Sequence, residues 1–181
     1  MKITHTDYPL QNKWMQIRHD TVSLPTRIAD YYTMEGPEWV NICAVTPQHE
    51  ILFVNQYRVS LHREHLELPA GKMDKEDETP HDAVRREFSE ETGHALAELH
   101  YLGPVNTIAG RSNVKGHLFC GRTQGVKGDQ HLDDTEDIKV AAIPIAEVMR
   151  MIQAGEFTCL CSLATILLAK EKYPHLFQSP I

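Results

Sequence analysis

The stretch 67-ELPAGKMDKEDETPHDAVRREFSEETGH-94 decides how this chain is read. Thr79-Pro80 predicts a helix start: an N-cap hydroxyl, a proline at the first helical position, and Asp82 three residues after the cap. The helix is expected to run to Thr92 and to stop at Gly93, the residue type favoured just past a helix end. Ala83, Val84 and Phe88 supply its apolar contacts. Glu87, Glu90 and Glu91 stand three and four positions apart, which puts their carboxylates on one side. Arg86 reaches Glu90 at the i, i+4 spacing and can hold it in place.

Three carboxylates that close repel one another. A well-solvated face tolerates the repulsion, and a hard divalent cation, Mg²⁺ or Mn²⁺, makes use of it because such ions take oxygen ligands. The surrounding sequence separates the two readings. A short extended run, Leu66 to Pro69, precedes a small-residue turn, Ala70-Gly71, so strand, loop and acidic helix form one unit. Arg86-Glu87-Phe88-Ser89-Glu90-Glu91-Thr92-Gly93 closely resembles the second half of the Nudix hydrolase signature, in which residue types and spacing are fixed together. One departure stands out. Six residues separate Gly71 from Glu78, one more than the family pattern, and the extra residue falls in the loop.

At 181 residues the chain suits one domain with a modest N-terminal addition. A net charge of -7 argues against a general nucleic-acid binder, which needs a basic stripe. Phosphate substrates stay open, because a bound metal inverts the local sign. Cys43, Cys120, Cys159 and Cys161 show no framework spacing and read as buried or free thiols. No apolar run approaches the roughly 18 residues of a membrane span, and the N-terminus lacks an apolar signal core. A cytoplasmic protein is expected.

Residues 1–37 contain β-prone pieces at Trp14 to Arg18, Thr21 to Leu24 and Ile28 to Thr33, too few to stand alone. Trp39 to Val45 and Ile51 to Tyr57 predict two strands joined at Thr46 to Glu50. His62 and His65 fall in a polar stretch and read as solvated loop histidines. Further strands are expected at Leu96 to Pro104, Gly116 to Gly121 and Ile138 to Ile143, with Gly121 to Gly128 as turns. Pro144 opens a helix ending near Gly155, and a last helix, about Leu160 to Glu171, carries a leucine-rich stripe read as core. The pattern is α+β: an α/β/α sandwich around a mixed sheet, with an N-terminal β extension over 1–37, and the resemblance implies a Nudix-type domain over 38–181 with the same fold.

Lys13-Trp14, Gln56-Tyr57-Arg58, Glu67 to Gly71 and Glu136-Asp137-Ile138, in that order, are similar to the ADP-ribose and nucleoside-diphosphate-sugar pyrophosphatases of the family. The resemblance implies a homodimer in which the N-terminal strands help build the partner's site. It also implies that Glu87 and Glu91 are the main metal ligands, with Glu90 a further ligand or a base and the Ala70 carbonyl joining the shell. Arg58 offers a planar fork of donors to phosphate oxygens. Glu67 is placed to accept from a ribose hydroxyl. Trp14 and Tyr32 are candidate stacking surfaces for the base, against ordinary packing. Glu136 is the implied water-activating carboxylate, with Asp134 and Glu90 as rivals. The expected reaction is hydrolysis of a nucleotide-sugar diphosphate. Residues 105–116 lack the proline that often accompanies ADP-ribose use, which leaves GDP- and ADP-sugars open. Other Nudix substrates and a non-catalytic nucleotide sensor are the rival readings.

Overall fold

The computed structural model describes residues 1–178. It contains two compact units, one of Met1–Glu38 with Pro104–Gly116, the other of Trp39–Gly103 with the chain from His117 onward.

In the first unit β1 (Lys2–Gln11), β2 (Gln16–Ser23) and β3 (Ile28–Glu35) form an antiparallel sheet in that order. The sequence signalled β2 as two pieces and left β1 unassigned. The reason lies in what holds β1. It is exposed along its whole length, so no face is buried, and polar cross-strand pairs fix it instead. Thr6 Oγ1 donates to Asp20 at 2.7 Å, and His19 Nδ1 meets Asp7 at 2.7 Å. Trp14, expected in a strand, sits in the turn between β1 and β2. There Asn12 Oδ1 accepts from the N–H groups of Trp14 and Met15, the Asx pattern that makes asparagine a turn residue.

The second unit is built on a seven-stranded mixed sheet with main order β10-β5-β4-β9-β8. Its strands are β4 (Trp39–Val45), β5 (Glu50–Arg58), β6 (Arg63–Glu67), β7 (Ala70–Lys72), β8 (His94–Asn106), β9 (Lys115–Lys127) and β10 (Ile138–Pro144). Strand β6 pairs with β5, and β7 with β4. The helices are α1 (Pro80–Thr92), α2 (Ile145–Gln153) and α3 (Leu160–Lys172). Strand β4 reads as an almost unbroken apolar run because it is buried on both faces. Val40, Ile42 and Ala44 pack with Ala83, Val84 and Phe88 of α1, the contacts its sequence predicted. Asn41, pointing the other way, accepts a hydrogen bond from Thr165 of α3 at 2.7 Å. Sheet between helices is the expected sandwich.

Three segments differ from what their sequence predicts. Strand β9 runs through the glycine-rich segment to Lys127, with Thr123 Oγ1 accepting from Gly125 N–H at 3.2 Å. His65 is no loop residue. It lies in β6 opposite Gln56, with a side chain 11% exposed. Helix α3 does not bury its whole leucine stripe: Leu160 and Leu167 are exposed, and the buried face is Ser162, Thr165, Ile166 and Ala169. Two hydroxyls can sit there because each has a partner, Leu68 N–H for Ser162 and Asn41 for Thr165. All four cysteines are free thiols, and burial pushes Cys120 up to about 12. Among the described residues no helix is long and apolar enough to cross a membrane.

Candidate active site

Helix α1 begins where the sequence places it. Thr79 Oγ1 accepts from Asp82 N–H at 3.2 Å, Pro80 is the first helical residue, and Gly93 takes φ +71° past the end. That left-handed turn would strain any side chain, and a Cβ on Gly93 would strike the Gly128 carbonyl. The last carbonyls of a helix need outside partners. Here the segment after β9 supplies them: Gln130 Nε2 donates to Glu91 O at 2.5 Å, His131 N–H to Glu90 O at 2.9 Å, and Gly128 N–H to Gly93 O at 2.6 Å. The loop that carries Glu136 is thereby tied to the helix that carries Glu87, Glu90 and Glu91. Sequence reasoning missed Gln130 and His131, for no motif marks a capping partner so far along the chain.

Arg86 organises the acidic face. Its Nε and Nη2 donate to the two oxygens of Glu78 at 2.7 and 3.0 Å, a bidentate pair. Nη1 donates to Glu87 at 2.7 Å and to Glu90 at 3.0 Å, and Nη2 reaches the Lys72 carbonyl at 3.0 Å. Glu78, whose role the lengthened loop left open, is therefore the anchor of Arg86. Its side chain is 6% exposed, and the guanidinium holds its carboxyl below the usual range. The extra residue is absorbed ahead of it: Asp77 takes φ +59°, and Glu78 N–H closes a turn onto Lys75 O at 3.2 Å.

Opposite the helix, β7 pairs with β4 and brings Ala70 and Gly71 beside Asn41 and Val40. Ala70 N–H donates to Glu91 Oε2 at 2.9 Å. A Cβ on Gly71 would collide with the Glu87 carboxylate, so that position has to be glycine for Glu87 to stand where it does. Glu91 is buried, and burial pushes its carboxyl up to about 8; Glu87 and Glu136 add to the rise, while the Ala70 N–H and Arg58 oppose it. Burial raises Glu87 as well, against the pull of Arg86. Glu136 is exposed, and its Oε2 accepts from Asp133 N–H at 3.1 Å.

The groups that act on the Glu91 carboxyl are the Ala70 N–H, the Glu87 and Glu136 carboxylates and Arg58. A carboxylate raised by burial and then by acidic neighbours is what a hard divalent ion relieves, so these carboxylates fit such an ion. The α1 carboxylates do not themselves make a tight triad. Among the described residues, three donor atoms lie within 4.8 Å of one another at His65–Glu67–Cys159 and at Glu98–His100–His175, and neither group includes a carboxylate of α1.

The remaining predicted residues divide between the units. Arg58, at the end of β5, donates from Nε to Glu67 at 2.6 Å, so two expected substrate ligands hold each other. Burial opposes the Arg58 charge, and the Glu67 hydrogen bond together with the negative charges of Glu67 and Glu91 more than restores it. Trp14 and Tyr32 belong to the first unit. Trp14 is exposed beside a cavity of about 380 Å³ and carries Lys13 Nζ 4.4 Å above its ring. Tyr32 stacks on His19 at 4.7 Å.

Comparison with known proteins agrees with the geometry. The NUDIX domain model matches residues 38–161. An ADP-ribose pyrophosphatase of Bacillus subtilis is 30% identical over 124 residues, 68% of this chain and 66% of that one. An ADP-ribose pyrophosphatase of Mycobacterium tuberculosis is 30% identical over 154 residues, 83% of this chain and 74% of its own length. A solved structure of an ADP compounds hydrolase superposes with a TM-score of 0.84 over 96% of this chain and 94% of that one, at 16% identity, a likeness of fold. Divalent cations are the general cofactors of proteins with this domain. The signature, the fold that presents it and the domain match converge: the chain belongs to the Nudix family of pyrophosphohydrolases.

Proposed function

We propose that the chain hydrolyses the diphosphate bond of ADP-ribose or a related nucleoside diphosphate sugar, releasing a nucleoside monophosphate and a sugar phosphate. The observation that carries the chemistry is the Arg86 network, which sets Glu87 and Glu90 on one side of α1 while Glu91 stands buried against Ala70. The substrate class rests on the two pyrophosphatase relatives and on the order of the flanking motifs.

Glu87, Glu90 and Glu91, with the Ala70 carbonyl, would hold Mg²⁺ or Mn²⁺. When bound, the ion supplies positive charge against the diphosphate and acidifies water near it. The protein's own residues do the rest. Arg86 is a positioning residue, holding Glu87 and Glu90 at fixed angles. Arg58 offers donors to phosphate oxygens, and Glu67, its partner, accepts from a ribose hydroxyl. Glu136, on the loop tied to α1, takes the proton from the attacking water, and attack in line with the leaving phosphate completes the exchange.

The N-terminal sheet supports a homodimer. Ile3, Tyr8, Leu10, Ile28, Tyr31 and Met34 are all exposed on a sheet with little else to cover it. In such a dimer Trp14 and Tyr32 would serve as stacking surfaces for the base.

The test is monophosphate release from ADP-ribose, ADP-glucose, GDP-mannose, a dinucleoside polyphosphate and a nucleoside triphosphate. Each is run with Mg²⁺, Mn²⁺ or chelator, for wild type and Glu91→Gln. Metal-dependent turnover of the sugar diphosphates, lost in the variant, is the expected result. Turnover of the polyphosphate or triphosphate alone would keep the family and overturn the substrate class.

A further inference from the structure

We infer that Glu98, His100 and His175 form a second metal site, for a borderline transition-metal dication of the zinc class, separate from the acidic face of α1. Glu98 and His100 are two residues apart on β8 and so project from the same face of the sheet's outer strand. His175 arrives from the turn Pro174–Phe177 that follows α3. Both imidazoles address one oxygen: Glu98 Oε1 lies 2.6 Å from His100 Nε2 and 3.2 Å from His175 Nε2. The three donor atoms all fall within 4.8 Å of one another. Two imidazole nitrogens and a carboxylate are a zinc-type donor set with room for water, whereas the all-oxygen set on α1 suits magnesium or manganese.

Two surface histidines hydrogen-bonded to a glutamate would account for the distances alone. They would not account for how firmly the ligands are aimed. Arg122 Nε sits 3.4 Å from the other oxygen of Glu98, leaving Oε1 for the ligand position. The same guanidinium donates to the His175 carbonyl at 2.9 Å, which fixes the incoming turn. His100 stacks flat on Tyr173, centroids 4.1 Å apart, which sets the plane of its ring. Lys172 Nζ donates to the Leu102 carbonyl at 2.7 Å and moors the end of α3 to β8. Outer contacts of this kind orient ligands and tune affinity in metal sites. The three side chains remain partly exposed, so an ion enters from solvent. Bound there, it fastens the Pro174–Phe177 turn to the edge of the sheet.

The experiment is zinc binding to the full chain at neutral pH by equilibrium dialysis, with magnesium in large excess to occupy the α1 carboxylates. Wild type, His175→Ala and Cys159→Ser are compared, and the cobalt(II) complex of the wild type is examined by absorption. We expect one zinc per chain in the wild type and in Cys159→Ser. In His175→Ala the affinity falls at least about tenfold. Cobalt should give d–d bands with no thiolate charge-transfer band. No zinc retained by wild type, or equal affinity in His175→Ala, overturns the site. So does a thiolate band, which would move the ion to His65–Glu67–Cys159. The cobalt spectrum needs no variant, so a misfolded mutant cannot rescue the inference.

Discussion

Arg86 uses all five of its N–H donors, two on Glu78 and one each on Glu87, Glu90 and the Lys72 carbonyl. A guanidinium so committed has one orientation, and the carboxylates bound to it inherit theirs. Glu78→Gln removes the charge that anchors it. We expect kcat to fall about 10- to 100-fold, as for other residues that orient ligands, with KM and melting temperature little changed. Gly71→Ala acts on the same group from the opposite side. The atom that its Cβ would meet is the end of a flexible side chain, which can swing away at little cost to the fold. Activity should drop while the thermal midpoint holds, and a loss of both together would show that β7 itself had moved.

Helix α1 was legible because its signals are local: the Thr79 cap, Pro80, the apolar trio and Gly93 all lie within one stretch. Its Gly93→Ala variant combines a left-handed backbone with a clash against a carbonyl, which cannot swing aside. A loss of about 1–3 kcal/mol in urea unfolding is expected. What the sequence did not reveal depends on partners distant in the chain. Gln130 matters because of the Glu91 carbonyl, Ser162 because of Leu68 N–H, and His65 because β6 pairs with β5. None of these has a spacing to read. Strand β1 escaped for another reason, since it carries polar pairs where a strand usually shows apolar alternation. Those pairs make the N-terminal sheet sensitive to pH. Hydrogen bonds to Asp30 and Asp7 raise the His19 imidazolium above its ordinary value. Its contribution is complete below about pH 6.5 and is lost as pH rises through the folded value. An NMR titration should place His19 above that reference, and amide exchange in β2 should quicken with pH beyond its intrinsic dependence. His19→Gln should remove the excess.

At the scale of the whole molecule, the first unit is discontinuous. Met34 N–H donates to Arg111 O at 2.7 Å, Ser112 Oγ donates to the Met34 carbonyl at 2.9 Å, and Asn113 bonds Glu35 at 2.8 Å. A peptide of residues 1–38 lacks all three and should show no stable sheet by NMR, since small exposed sheets are marginal in water. The same dependence on late-arriving chain recurs in the large sheet. Strand β8 is the outer strand of the large sheet, and the residues that grip it, Lys172 and His175, follow it by more than sixty positions. A ribosome making this protein therefore releases β8 long before its cover exists. An open strand edge recruits other chains, and the hazard lasts as long as synthesis of the intervening residues takes. Translation slowed anywhere between β8 and α3 lengthens that exposure. For this fold, then, the time that passes before the Pro174–Phe177 turn is translated governs how safely the nascent chain matures.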